Sequence, residues 1–228
     1  NNGYIDDVRG WDFVNNDNDP MPSKVKQEDG SYINNHGTHV AGIIGAEGNN
    51  NIGIAGVTWD TQLMNCQVFD SDNCGDITSA IRYAADNGAD IINLSLGMNP
   101  GLVDVNKDGR FIPGTDIGYP TSFDEYKSRY PDSYNIWLDA LKYASDKGSI
   151  IVAAMGNESV EAHGFDELFF NWGNKDKFTS IPADFSDEIP GLISVVAINN
   201  QGDKSNYSSY GSKASIAAPG GERGIEGA

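Results

Sequence analysis

Apolar and polar positions follow one pattern twice along the chain. Residues 80–88 read Ala-Ile-Arg-Tyr-Ala-Ala-Asp-Asn-Gly, and residues 140–148 read Ala-Leu-Lys-Tyr-Ala-Ser-Asp-Lys-Gly. In each, apolar residues recur at helical spacing and a glycine follows the last of them, where a left-handed residue stops a helix. Each segment then enters a largely apolar run, Ala89 to Leu96 and Ser149 to Met155. A strand without polar alternation is expected in a parallel sheet, buried on both faces beneath helices. Leu192 to Ile198 and Ala214 to Ala217 are two further candidate strands. The pattern predicts an α/β fold, a doubly wound and mainly parallel sheet with helices on both faces.

The periodicity lapses over residues 98–135, a stretch rich in Gly, Pro, Asp and Tyr, and again near 160–178. The first is expected to be an insertion between a strand and the next helix. Ligands in open α/β sheets bind beyond the carboxyl ends of the strands. That rule directs attention to Asn93-Leu94-Ser95-Leu96-Gly97 and to Ala153-Ala154-Met155-Gly156-Asn157-Glu158.

Composition narrows the partners. A chain of 228 residues suffices for one α/β domain, and 39% hydrophobic with 10% aromatic residues excludes a disordered tail. No apolar run approaches the ~20 residues of a membrane span, so no membrane partner is expected. With 15 Lys+Arg against 33 Asp+Glu the formal charge is −18, which repels phosphate backbones and makes nucleic acid an unexpected partner. The acid is mostly Asp, 24 against 9 Glu, beside 23 Asn. Asp and Asn favour turns and oxygen-ligand loops over helix faces, which brings calcium into view as a cofactor.

The sharpest local signal is His36-Gly37-Thr38-His39-Val40-Ala41-Gly42, which holds two of the three histidines. One reading has His36 at the helix start and His39 packed in a core. Zinc is disfavoured: His-x-x-His is not the i, i+4 pair of zinc helices, and further ligands are not evident.

This segment resembles the histidine signature of the subtilisin-like serine peptidases. The resemblance continues in order through Asn50-Asn51-Ile52-Gly53-Ile54-Ala55-Gly56-Val57, Asn93-Leu94-Ser95-Leu96-Gly97 and Ala154-Met155-Gly156-Asn157-Glu158. It ends with Ile181-Pro182-Ala183, Ser208-Ser209-Tyr210-Gly211 and Ala218-Pro219-Gly220. It implies a Ser-His-Asp endopeptidase in which His36 is the general base and Asn157 the oxyanion donor, with His39 structural. It also implies an extended peptide or protein substrate lying between Asn73-Cys74-Gly75 and Ser95-Leu96-Gly97. Ala154, Met155, Gly156 and Ser180 would form the specificity pocket. Its apolar wall suits a large apolar side chain, and Glu158 at the rim suits a basic one. The family pattern further implies a secreted, monomeric protein made with a propeptide.

Two parts of that pattern are not found. No early apolar strand ends in Asp-Thr/Ser-Gly, and no Gly-Thr-Ser segment occurs. Asp6 and Asp7 lie about thirty residues before His36, but residues 3–13 resemble the loop that follows the family's Asp strand. The chain opens on Asn1-Asn2-Gly3 and closes on Gly227-Ala228, and the expectation is an incomplete catalytic domain over 1–228, inactive alone. The alternatives are a catalytically degenerate peptide-binding domain and a calcium-dependent interaction domain.

Three loops invite structural calcium. Asp12, Asn15, Asp17 and Asp19 resemble the calcium loop of thermitase-like members. Asp104, Asn106, Asp108, the Arg110 carbonyl and Asp116 follow the opening of an EF-hand-type loop, although Thr115 holds the twelfth position. Asn50, with the carbonyls of Gly48, Ile52 and Ile54, resembles the family's tight site. Cys66 and Cys74 are expected as free thiols, with a disulfide as the alternative for a secreted protein.

Overall fold

The computed structural model describes residues 3–22, 35–70, 73–98, 120, 122–158 and 179–222. They fall into two compact units, residues 1–89 and 90–228.

In the first unit, strand β1 (Gly10–Asp12) pairs in parallel with β2 (Asn65–Gln67), Trp11 opposite Cys66. Gly10 has φ +109°, and a Cβ there would lie 1.9 Å from the Asn65 carbonyl oxygen, so only glycine fits. Helix α1 spans His36–Gly45 and α2 spans Ile77–Asp86. Asp76 caps α2: its carboxylate accepts the Ser79 amide at 3.0 Å and the Ser79 and Thr78 hydroxyls at 2.6 and 2.7 Å. The buried side of α2 carries Ala80, Ile81, Ala84, Ala85 and Tyr83. Tyr83 meets Tyr4 and Phe13 edge-on at 4.7 and 5.6 Å, and Tyr4 meets Trp11 at 4.9 Å. The Tyr83 hydroxyl donates to Asp7 at 2.8 Å, tying the segment before β1 to α2.

The second unit is built on a parallel sheet in the order β3 (Ile91–Leu94), β4 (Ile150–Ala154), β5 (Leu192–Ile198), β6 (Ile216–Pro219). The register sets Leu94 beside Ala153, Ala154 beside Val195 and Ile198 beside Pro219. Helices α3 (Phe123–Arg129) and α4 (Pro131–Asp146) form the crossover that a parallel β3–β4 pair requires, and α4 packs on β4. Tyr126, Leu141, Ile151, Met155, Ile181 and Phe185 are fully buried. Tyr134 stacks on Phe185 at 5.5 Å and donates to Glu188 at 2.7 Å. Glu188 also pairs with Lys127, so α3, α4 and the 3₁₀ turn Ala183–Asp187 are joined at one point.

Both repeated helix stops take the expected form. Gly88 and Gly148 have φ +79° and +96°. The amides of Ala89 and Ser149 reach back to the carbonyls of Ala84 and Ala144 at 3.0 and 3.1 Å, the Schellman arrangement.

Three expectations are corrected. The strands are not buried on both faces: Ile92 and Leu94 are buried, whereas Ile91 and Ile150 are 63% and 44% exposed. Among the described residues one face of the sheet is covered, so burial alternates, and the polar Asn93 of β3 falls on the exposed side. The run Ala89–Leu96 yields a strand only over Ile91–Leu94, because Ala89 closes the preceding helix, and the last strand is Ile216–Pro219 rather than Ala214–Ala217. Within the proposed 98–135 insertion, α3 and the start of α4 are helical. Ser122 caps α3, accepting the Glu125 amide at 3.2 Å, and Pro131 opens α4, local start signals that outweigh weak periodicity. No helix among the described residues is long and apolar enough to cross a membrane.

Candidate active site

Beyond β4 the chain leaves the sheet at a residue that must be glycine. Met155 is fully buried and its amide still donates to Val195 at 3.0 Å. Gly156 then turns at φ +113°, and a Cβ there would lie 2.2 Å from Glu158 Oε2. The turn delivers Asn157, exposed, to the carboxyl end of the sheet, where α/β proteins hold their ligands.

The residues of this unit expected to line the specificity pocket are brought together around that turn. Met98 and Ile181 exchange both backbone hydrogen bonds, at 2.8 and 2.9 Å, which sets residues 95–98 against 180–181. A Cβ on Gly97 would lie 3.3 Å from the Ile181 carbonyl oxygen. The buried Ser180 hydroxyl donates to the Met155 carbonyl at 3.1 Å. Ser95, Leu96 and Gly97 continue β3, the first strand in the order of its sheet among the described residues, and Ala154, Met155 and Gly156 continue β4 beside it. Two further residues had no assigned role in the sequence. Buried Asp184 accepts the Ser180 amide at 2.8 Å and donates its own amide to the Ser180 carbonyl at 2.8 Å. Ser209 bonds to both Gly156 and Glu158. Asp184 stands only four residues from Ser180, and Ser209 lies within the Ser208-Ser209-Tyr210-Gly211 motif, but the partners of Ser209 are some fifty residues away, where no local pattern names them.

The other candidates lie in the first unit. His36 is the first residue of α1 and is exposed. His39 follows one turn later, its amide donating to Asn35 at 2.9 Å, and its side chain is exposed, which corrects the core reading. The loop after α1 folds back on the helix, with the amides of Gly56, Val57 and Thr58 on the carbonyls of Ala46, Ile43 and Ile44 at 2.8–2.9 Å. Asn73, Cys74 and Gly75 sit in a tight hairpin. Asp70 donates to the Asn73 carbonyl at 3.0 Å and Gly75 to Val68 at 2.9 Å. Cys74 is exposed, Cys66 is half-buried, and both are free thiols. Burial pushes the Cys66 thiol up to about 12.

The calcium residues divide in two. Asp104, Asn106, Asp108, Arg110 and Asp116 lie outside the described residues. In the 12–19 turn, the buried Asp12 carboxylate is spent on the amides of Val14 and Asn15, at 2.7 and 3.0 Å, and on the Asn15 side chain at 2.8 Å. Asp17 accepts the Asp19 amide at 3.0 Å, and Asn50 accepts the Ile52 amide at 2.9 Å. Among the described residues no three His, Cys, Asp or Glu side chains are grouped to hold a metal ion. In the 12–19 turn the carboxylates of Asp12 and Asp17 accept neighbouring backbone amides.

Comparison with known proteins agrees with this geometry. The profile described as the subtilase family, Peptidase_S8, matches residues 2–227. A thermophilic serine proteinase of Bacillus sp. (strain AK1) is 33% identical over 217 residues, covering 93% of this chain and 38% of that protein. Thermitase of Thermoactinomyces vulgaris is 32% identical over 216 residues, covering 93% of this chain and 55% of that protein. The crystal structure of the nisin leader peptidase of Lactococcus lactis superposes with a TM-score of 0.53 at 29% identity, covering 79% of this chain and 45% of that one. The chain thus spans about two fifths to about half of the length of these curated relatives. With a subtilisin-like α/β fold and a family match over nearly its whole length, this chain belongs to the subtilase family.

Proposed function

We propose that this chain forms part of the catalytic domain of a secreted serine endopeptidase, with His36 as general base and Asn157 as oxyanion donor. The observation that carries the reading is the Gly156 turn. It places an exposed carboxamide beyond the sheet, next to the gathered segments 95–97, 154–156 and Ser180. A serine hydroxyl is a weak nucleophile near neutral pH, so an imidazole must take its proton as it attacks the scissile carbonyl. The carbonyl oxygen becomes an anion, which the Asn157 amide would meet as a hydrogen-bond donor. The protonated imidazole then returns its proton to the leaving amine. No Gly-Thr-Ser segment occurs in these 228 residues, so the serine is sought elsewhere in the full-length protein and this stretch alone is proposed to be inactive.

A peptide or protein substrate is supported by the names of the relatives, a serine proteinase and a leader peptidase. It would add as a strand along Ser95–Gly97, with Asn73–Gly75 as the second segment. Structural calcium rests on the spacing of the Asp-rich loops alone, and no catalytic step depends on it.

The test uses the full-length protein. Peptide hydrolysis and labelling by a serine-directed phosphonate are expected, both abolished by His36→Ala. A folded protein that neither labels nor cleaves would overturn the reading in favour of a peptide-binding role.

A further inference from the structure

We propose that Ser209 is a positioning residue for the oxyanion donor, clamping the turn on both sides of Asn157. The inference rests on the peptidase reading for its kinetic consequence, while the clamp is a matter of geometry. Ser209 is completely buried and stands fifty-one residues beyond Glu158 in sequence. Its amide donates to the Gly156 carbonyl at 3.0 Å, fixing the residue before Asn157. Its hydroxyl accepts the Glu158 amide at 3.2 Å and donates to Glu158 Oε2 at 2.5 Å, fixing the residue after it. One hydroxyl thus serves as acceptor and donor at once, which alanine cannot do and threonine can.

The clamp is needed because Gly156 supplies no rigidity of its own: glycine at φ +113° has wide backbone freedom. The clamp also has a firm base. Next to it, the Ser208 hydroxyl accepts the Ala197 amide at 2.8 Å and the Ser205 amide donates to the Ala197 carbonyl at 2.9 Å, anchoring this segment to β5. A donor held in place beforehand stabilises the developing oxyanion without reorganising. A donor left to wander loses rate while leaving ground-state binding alone.

Ser209→Ala and Ser209→Thr are compared in the full-length protein, each with and without Asn157→Ala. Ser209→Ala is expected to lower kcat about ten-fold with KM held within about two-fold, and Ser209→Thr to restore it. In the Asn157→Ala background the same change is expected to alter kcat by less than about two-fold, since Ser209 acts through that amide. Independently of activity, hydrogen exchange at the Glu158 amide is expected to quicken at least about ten-fold in Ser209→Ala. Unchanged exchange, or a full kcat loss persisting without Asn157, would overturn the proposal. If the unaltered protein hydrolyses nothing, the peptidase reading falls and the exchange measurement still decides the clamp.

Discussion

Asn157 depends on its neighbours more than on itself. Its exposed amide has a direction only because Gly156 turns at positive φ and Ser209 holds both flanks. In the full-length protein, Asn157→Ala is expected to lower kcat by about 10²–10³ with little change in KM, the magnitude known for the corresponding donor in a subtilisin rather than one obtained from this chain. Steady-state kinetics check it, and a KM effect of similar size would instead assign Asn157 to substrate binding. The two thiols differ for a second local reason. Cys66 sits in β2, where burial pushes it from 9.0 to about 12, whereas Cys74 is exposed on its hairpin. The thiolate is the reactive form, so iodoacetamide at pH 8 is expected to modify Cys74 at least about ten-fold faster than Cys66. Peptide mapping by mass spectrometry reads this directly, and equal rates would contradict the half-buried placement of Cys66.

Helix ends and helix faces carry the stability of the elements. Burial pushes the Asp76 carboxyl up, but the hydrogen bonds from Ser79 and Thr78 outweigh it and hold it below the usual carboxylate range. Such a cap contributes fully above the unfolded pKa of about 3.9 and is lost as pH falls through the folded value. Asp76→Ala is therefore expected to cost about 1 kcal/mol at pH 7 and progressively less below pH 4. Urea titrations at the two pH values test this, and a pH-independent loss would argue against the cap. On the face of α4, Leu141 is fully buried and α4 packs on β4. Leu141→Ala leaves a cavity and is expected to cost about 2–5 kcal/mol by the same assay.

Over the whole molecule the formal charge of −18 sets the response to ions. Mutual repulsion opposes the compact state and is screened by salt, so Tm is expected to rise between 10 mM and 1 M NaCl. Calcium is to be compared at matched ionic strength, with EGTA as control. A further rise with calcium alone would support bound ions in the Asp-rich loops. Equal curves would confine the effect to screening and agree with the hydrogen bonds that Asp12 accepts within its own turn.

Much of the fold was legible from local chemistry. A glycine after a helical period needs only a few residues to specify a stop, and Gly88 and Gly148 behave accordingly. The apolar runs specified parallel strands, and the ordered motifs around His36 and Asn157 specified the family, since each is written in consecutive residues. Only the tertiary structure decided which positions of β4 are covered, because Ile150–Ala154, apolar throughout, does not name its buried face. It also decided that His39 is exposed and that the Ser180 hydroxyl reaches the Met155 carbonyl. The bracket of Ser209 around Asn157 belongs with these. Its hydrogen bonds reach a few ångströms in space but join residues fifty-one apart in sequence, so the path of the chain, and no local pattern, brings them together.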